Sequence, residues 1–161
     1  MYTYEYPRPA VTTDAVLFAN TGDEKYILLI KRGRQPYEGL WALPGGFLEV
    51  DEELIDGVKR ELEEETGLIG IDLKQLKAYG GVNRDPRHRT ISVVFYGITD
   101  KLREVKGMDD AAEAKWFPVD KLPLLAFDHG KIVEEGGFDE LVKDNKSQFS
   151  EMYKLQMKNK T

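Results

Sequence analysis

The sequence predicts a single domain of the α/β class, on three observations. Short runs rich in apolar, β-branched and aromatic residues recur at 11–18, 26–30, 73–79, 90–98 and 114–117, as strands do. Between the second and third of these lies 52–66, whose apolar residues follow a helical period. A chain of 161 residues, 41% hydrophobic and 32% charged, is enough for one core and about one ordinary domain.

In order along the chain, 11–18 and 26–30 flank the turn-forming segment Asn20-Thr21-Gly22-Asp23-Glu24 and read as a hairpin. Residues 39–46 read as a loop punctuated by Pro44-Gly45-Gly46. The helix from about Glu52 to Thr66 stops at Gly67, where a left-handed C-terminal cap is expected. The strands at 73–79 and 90–98 are separated by a polar, basic loop at 83–89, and 114–117 leads into Pro118. From Asp128 onward the chain reads as mainly helical. These boundaries place a domain at 1–128 and a helical tail at 129–161 that is not an independent domain.

Composition excludes several function classes. The net charge of −6 leaves no basic stripe to neutralise a nucleic-acid backbone. No apolar run approaches the roughly 20 residues of a membrane-spanning helix. The absence of cysteine rules out disulfides, thiolate metal sites and a Cys nucleophile. The first nine residues carry no secretory pattern, and a cytoplasmic location is expected. Acid is concentrated in one place: Glu49 to Glu65 holds nine acidic residues against Lys59 and Arg60, a local balance of −7.

On a helix of ~100° per residue, Glu64 falls at about 300° and Glu65 at about 40° from Glu61, so three carboxylates share one face. Leu54, Ile55, Val58 and Leu62 form an adjacent apolar stripe suited to packing on a sheet, while Asp56, Lys59 and Glu63 point elsewhere, toward water. Like charges at i, i+3 and i+4 repel, so a helix adopts them only if something positive compensates. A hard divalent cation is the simplest candidate, because Mg²⁺ prefers carboxylate oxygens and shares its shell with phosphates.

Gly46, Glu52, Arg60-Glu61-Leu62, Glu64-Glu65 and Gly67-Leu68 stand at the spacing Gly-x5-Glu-x7-Arg-Glu-apolar-x-Glu-Glu-x-Gly-apolar. All nine specified positions are filled over 23 residues, and the stretch resembles a complete Nudix box. The resemblance implies an α/β/α sandwich with a mixed central sheet, in which the box forms loop, helix and loop. It implies Mg²⁺ or Mn²⁺ on Glu61, Glu64 and Glu65 with the Gly45 carbonyl as a further ligand, and a structural ion pair between Glu52 and Arg60. A carboxylate of this set, or Glu113 from a later loop that also offers Glu104, Asp109 and Asp110, would act as the catalytic base.

Further segments are similar to the small ADP-ribose pyrophosphatases of that family. They are Arg8-Pro9-Ala10-Val11, Leu29-Ile30-Lys31-Arg32, the run from Gly39 to Gly46, Asn83-Arg84-Asp85-Pro86-Arg87 and the run from Asp109 to Pro118. They imply a small-molecule nucleotide substrate, ADP-ribose split to AMP and ribose 5-phosphate, and a homodimer. Arg32, Arg84 and Arg87 are candidates for phosphate or ribose. Trp41 is a candidate for stacking on the base, as are Tyr4, Tyr6 and Tyr37. His88 and His129 stand in no ligand pattern and read as hydrogen-bonded loop histidines.

Two other functions compete: an ADP-ribose sensor that hydrolyses nothing, and clean-up of nucleoside triphosphates. The intact glutamates favour catalysis, and the last residues are too few and too weakly basic for a DNA-binding domain. The run from Asp128 to Val142, with 149–156, is similar to the end of ABC-transporter ATPase domains. No Gly-x4-Gly-Lys-Ser/Thr loop is present, so an ATPase reading fails. Phe149, Met152 and Tyr153 suggest an apolar stripe in this tail.

Overall fold

The structure, a computed structural model, describes residues 1–136. The expected hairpin forms from β1 (Ala10–Asn20) and β2 (Lys25–Arg32), antiparallel with Phe18 opposite Ile27. Two short strands follow, β3 (Trp41–Ala42) and β4 (Gly45–Phe47), then helix α1 (Leu54–Thr66). Strands β5 (Lys74–Tyr79), β6 (Thr90–Thr99) and β7 (Ala111–Pro118) precede helix α2 (His129–Glu135).

β1 is the centre of the assembly. It runs parallel to β6 from Ala10 opposite Thr90 to Ala19 opposite Thr99, while every other strand pair is antiparallel. The order β3-β2-β1-β6-β5, with β4 paired to β1 and β7 to β2, makes one mixed seven-stranded sheet among the described residues. Its two faces separate by the period-2 alternation of strands. Ala15, Leu17, Leu28 and Phe95 pack with Val58 and Leu62 of α1. Val16, Phe18, Leu29, Val94 and Tyr96 pack with Ile132 and Val133 of α2. Helices on both faces of a mixed sheet are the α/β/α sandwich that the sequence led us to expect.

α1 presents its residues as the wheel requires: Val58 and Leu62 are buried, and Asp56, Lys59 and Glu63 are exposed. Gly67 caps it in the left-handed conformation (φ 76°), donating its N–H to the Glu63 carbonyl at 2.8 Å. The helix begins at Leu54 rather than Glu52, because the Glu52 carboxylate turns back to accept the Glu49 N–H at 2.9 Å and Glu53 remains extended. The segment 39–46 is not all loop. Its strands are too short and glycine-rich to carry a pattern, and they exist because β1 and β2 supply partners at Thr12 to Asp14 and Ile30 to Lys31.

The segment read as a tail opens with α2, whose Ile132 is fully buried in the main core cluster. The stripe of Phe149, Met152 and Tyr153 lies outside the described residues. Among the described residues no helix is long and apolar enough to cross a membrane.

Leu62, 1% exposed between α1 and the sheet, should cost about 2–5 kcal/mol of unfolding free energy when truncated to alanine. Exposed Glu63→Ala should stay within about 0.5 kcal/mol. Chemical denaturation of the two variants checks the packing, and equal midpoints would contradict it.

Candidate active site

The site is built around the tripeptide Leu43-Pro44-Gly45, which links β3 to β4. The Pro44 carbonyl accepts the Ala15 N–H of β1 at 2.8 Å. The Gly45 N–H bonds Glu65 Oε2 of α1 at 2.9 Å. Only glycine fits at position 45, where a Cβ would stand 2.2 Å from the Thr13 carbonyl oxygen, and a Cβ on Gly46 would displace the Glu61 carboxylate, 2.5 Å away. The pairing of Thr13 with Gly46 and Asp14 with Gly45 thus presses the backbone against the acidic end of α1.

Glu61, Glu64 and Glu65 all line a cavity of about 650 Å³ at this end of the sheet. Each has a different environment. Glu65 is 6% exposed, and burial pushes its carboxyl up to about 8, opposed by the Gly45 N–H and reinforced by Glu61 and Asp14. Burial also raises Glu61, against the hydrogen bond it accepts from Arg60 at 2.7 Å. Glu64 is exposed and accepts from the same Arg60 nitrogen at 3.0 Å.

Arg60 organises this acidity. Its Nε and one terminal nitrogen donate to Glu52 at 3.0 and 2.7 Å, a bidentate ion pair, and that nitrogen also reaches the Phe47 carbonyl at 3.1 Å. Glu52 is held below the usual carboxylate range by this hydrogen bonding, and Arg60 above its ordinary value. The loop 48–52 is thereby fixed to the middle of α1.

The opposite wall is basic, and its arginines are not equivalent. Arg84 forms a buried bidentate pair with Asp128, at 3.0 and 2.7 Å, so it ties the 83–89 loop to the start of α2. Arg87 is clamped by Asp85 at 3.0 and 2.8 Å and lies over the rings of Phe47 and Phe127, 4.9 and 5.6 Å from their centres. Arg32 donates to the Pro36 carbonyl at 2.7 Å and rests on the other aromatic contact, 4.9 Å from Phe127. Burial, and then the nearby Arg87 charge, lower its pKa. Asp109 and Phe127, both at positive φ (50° and 51°), also line the cavity, and such outliers gather at functional sites.

Several candidate residues, Glu104 among them, are not brought here. Trp41 lies outside the cavity lining; it packs edge-on against Phe117, ring centres 4.7 Å apart, on the main core cluster. Glu113 is also outside: on β7 it stands opposite Lys31 of β2 and pairs with it at 3.2 Å. The irregular pairing around Arg32 turns Asp109 and Asp110 of the preceding loop into the cavity instead. Asp110 is paired with Arg34. Tyr37 packs edge-on against Phe127, while Tyr4 and Tyr6 are exposed.

Sequence reasoning missed Asp14 and undervalued His129. Asp14 is buried in β1, accepts from Ser92 Oγ and faces the cavity. A charged residue in the apolar run from Val11 to Phe18 was the available signal. His129 is hydrogen-bonded, as expected, but it begins α2 and is 4% exposed, and its Nδ1 accepts the Leu43 N–H at 3.0 Å. Burial lowers its pKa. His88 contacts Thr90 Oγ1 at 3.1 Å.

The donor set suits a hard divalent cation. It consists of carboxylate oxygens and the Gly45 backbone, and Gly46 leaves open the space next to Glu61 that any side chain would fill. Arg60 already places positive charge between Glu61 and Glu64. Among the described residues no three acidic or histidine side chains converge closely enough to hold an ion as they stand.

Residues 8–136 match the NUDIX domain, and the chain belongs to the Nudix family. It is 47% identical over 131 residues to an ADP-ribose pyrophosphatase of Methanocaldococcus jannaschii, covering 81% of this chain and 74% of that protein. It is 33% identical over 135 residues to the ADPR responsive transcriptional repressor NtrR of Acinetobacter baylyi, covering 81% of this chain but only 54% of the repressor. Among solved structures, the NUDIX domain of Shewanella oneidensis NrtR complexed with ADP ribose superposes with a TM-score of 0.74 at 32% identity, over 81% of this chain and 88% of that one.

The raised pKa of Glu65 makes a signed prediction. Its contribution to stability is fully present below the ordinary carboxylate value near 4.5 and is lost as pH rises through about 8. In chelator, stability should fall between about pH 6.5 and 8 by on the order of 1 kcal/mol per pH unit and level off at higher pH. Added Mg²⁺ should raise Tm by a margin that grows over the same window. His129, depressed by burial, acts in the opposite sense and below its ordinary value of 6.5. A flat Tm in chelator over this window would contradict the desolvation of Glu65.

Proposed function

We infer that this protein is a Nudix pyrophosphohydrolase that splits ADP-ribose into AMP and ribose 5-phosphate with the help of Mg²⁺ or Mn²⁺. The observation that carries the reading is the juxtaposition, across one cavity, of Glu61, Glu64 and Glu65 with Arg32 and Arg87. The similarity to an ADP-ribose pyrophosphatase over most of both chains supports the choice of substrate. A cavity of about 650 Å³ is of the size that small-molecule ligands occupy.

Glu61, Glu64, Glu65 and the Gly45 carbonyl would hold the metal, which would offset charge on the diphosphate and lower the pKa of an attacking water. Arg87, pre-oriented by Asp85, and Arg32, held by the Pro36 carbonyl, present N–H groups to phosphate and ribose oxygens. Arg84 acts through Asp128 to hold the loop that carries Arg87. Asp109 takes the place of Glu113 as the loop acid that accepts the water's proton, because it faces the cavity and Glu113 does not. The homodimer belongs to the same reading; exposed Tyr2, Tyr4 and Tyr6 are apolar surface of the kind a second copy covers.

Incubation with Mg²⁺ and a panel of ADP-ribose, NADH, sugar nucleotides and nucleoside triphosphates, with products separated chromatographically, tests the substrate. ADP-ribose should be turned over fastest. Faster release from triphosphates would assign clean-up instead, and ADP-ribose binding without AMP would assign sensing. Glu64→Gln should lower kcat by about 100-fold or more. Asp109→Asn should fall comparably while Glu113→Gln stays close to the parent; the reverse order would return the base to Glu113.

A further inference from the structure

The tripeptide that presents Gly45 to the carboxylates has three main-chain groups anchored by three different elements. Pro44 has no N–H to offer. Its carbonyl is held by β1, the Gly45 N–H by Glu65 on α1, and the Leu43 N–H by His129 Nδ1 on α2. The first two anchors lie within the strand pairing and the Nudix box. The third comes from the far face of the sheet, through a side chain that the box does not contain.

The imidazole is built for this task. A nitrogen that accepts from a backbone N–H must carry a lone pair, so the ring is neutral with its proton on Nε2. Nε2 lies 3.7 Å from Asp14 Oδ1, too far for a direct hydrogen bond but on the side that favours this tautomer. Asp14 is itself fixed by Ser92 and sits opposite Gly45 in the strand register. Phe127 covers the ring, centres 5.4 Å apart. Leu43 and His129 are both buried, so water cannot replace the bond, and a lost acceptor would leave a buried N–H unsatisfied.

We propose that His129 is a positioning residue for metal binding: by accepting the Leu43 N–H it sets the position of Gly45 against Glu65 and Glu61. The inference rests on the metal-binding role given above to Gly45 and the glutamates, but not on which nucleotide is cleaved. His129 is not among the groups assigned above to hold the metal or to accept the water's proton. It acts at two residues' distance, as outer partners of metal ligands do, whose loss weakens binding by about 10–100-fold.

Two substitutions of similar polarity separate this role from general packing. In His129→Asn the amide oxygen stands where Nδ1 stood, and in His129→Gln a polar atom reaches only the Nε2 position. Mn²⁺ binding to the substrate-free full chain, followed by electron paramagnetic resonance of the free ion, should be within about threefold of the parent for His129→Asn and at least about tenfold weaker for His129→Gln. With ADP-ribose, kcat at fixed Mg²⁺ should follow the same order while KM changes little. Equal Mn²⁺ affinity in the two variants, at any level, or the reverse order, would overturn the proposal. If the expected Mn²⁺ difference appeared and the parent did not cleave ADP-ribose, the positioning role would stand and the substrate assignment would fall.

Discussion

A buried carboxylate pressed against a backbone amide is the interaction on which the rest of this site depends. Glu65 is the last acid of α1, and it faces the sheet rather than water because Leu62, one turn earlier on a neighbouring arc, is drawn into the core. Burial without a partner would be costly, and the Gly45 N–H provides one at 2.9 Å. That bond can form only where two chains approach more closely than a Cβ permits, which is why the strand paired to β1 begins Gly45-Gly46. Strand register, glycine and acid therefore specify one another.

The acidity of α1 creates a second problem, and Arg60 resolves it. Two like charges at 4–6 Å repel by about 3–4 kcal/mol at an effective dielectric constant of about 20, a large share of the 5–15 kcal/mol that stabilises an ordinary domain. Arg60 meets Glu52, Glu61 and Glu64 at once, while Glu65 escapes by retaining a proton up to about pH 8. Arg60 and the Glu65 proton thus balance the charges that the fold gathers at this end of α1. The arginines across the cavity are divided similarly: Asp128 takes Arg84 into the framework, and Arg87 is held but still faces the opening.

Much of this was legible from residue order alone. The helix, its two faces and its cap at Gly67 follow from spacing, because helical geometry converts sequence distance directly into angle, whereas the Glu52–Arg60 pair was implied by the family resemblance. The longer strands were legible from β-branched runs. What spacing could not supply was contact across the sheet. The parallel pairing of β1 with β6 brings Ser92 to Asp14, 78 residues away, and α2 brings His129 to Leu43, 86 residues away. Trp41 and Glu113 were assigned by family segment, yet the direction of each side chain is set by strand alternation: both lie on β2's neighbouring strands, directed to Phe117 and Lys31. Asp109 was harder to choose because its orientation depends on a left-handed backbone and an irregular pairing at Arg32, which no pattern encodes.

The same long-range contacts explain why the site belongs to the whole sandwich rather than to its catalytic helix. α1 and α2 cover opposite faces of one sheet, so neither can touch the other's core cluster. At the open end of β1 both reach around to a single tripeptide, Glu65 from one side and His129 from the other. A displacement of either layer relative to the sheet is therefore transmitted to Gly45, through hydrogen bonds that buried groups have no water to replace. Close packing makes such displacements costly, and that stiffness makes the Gly45 backbone a fixed point beside flexible glutamate side chains.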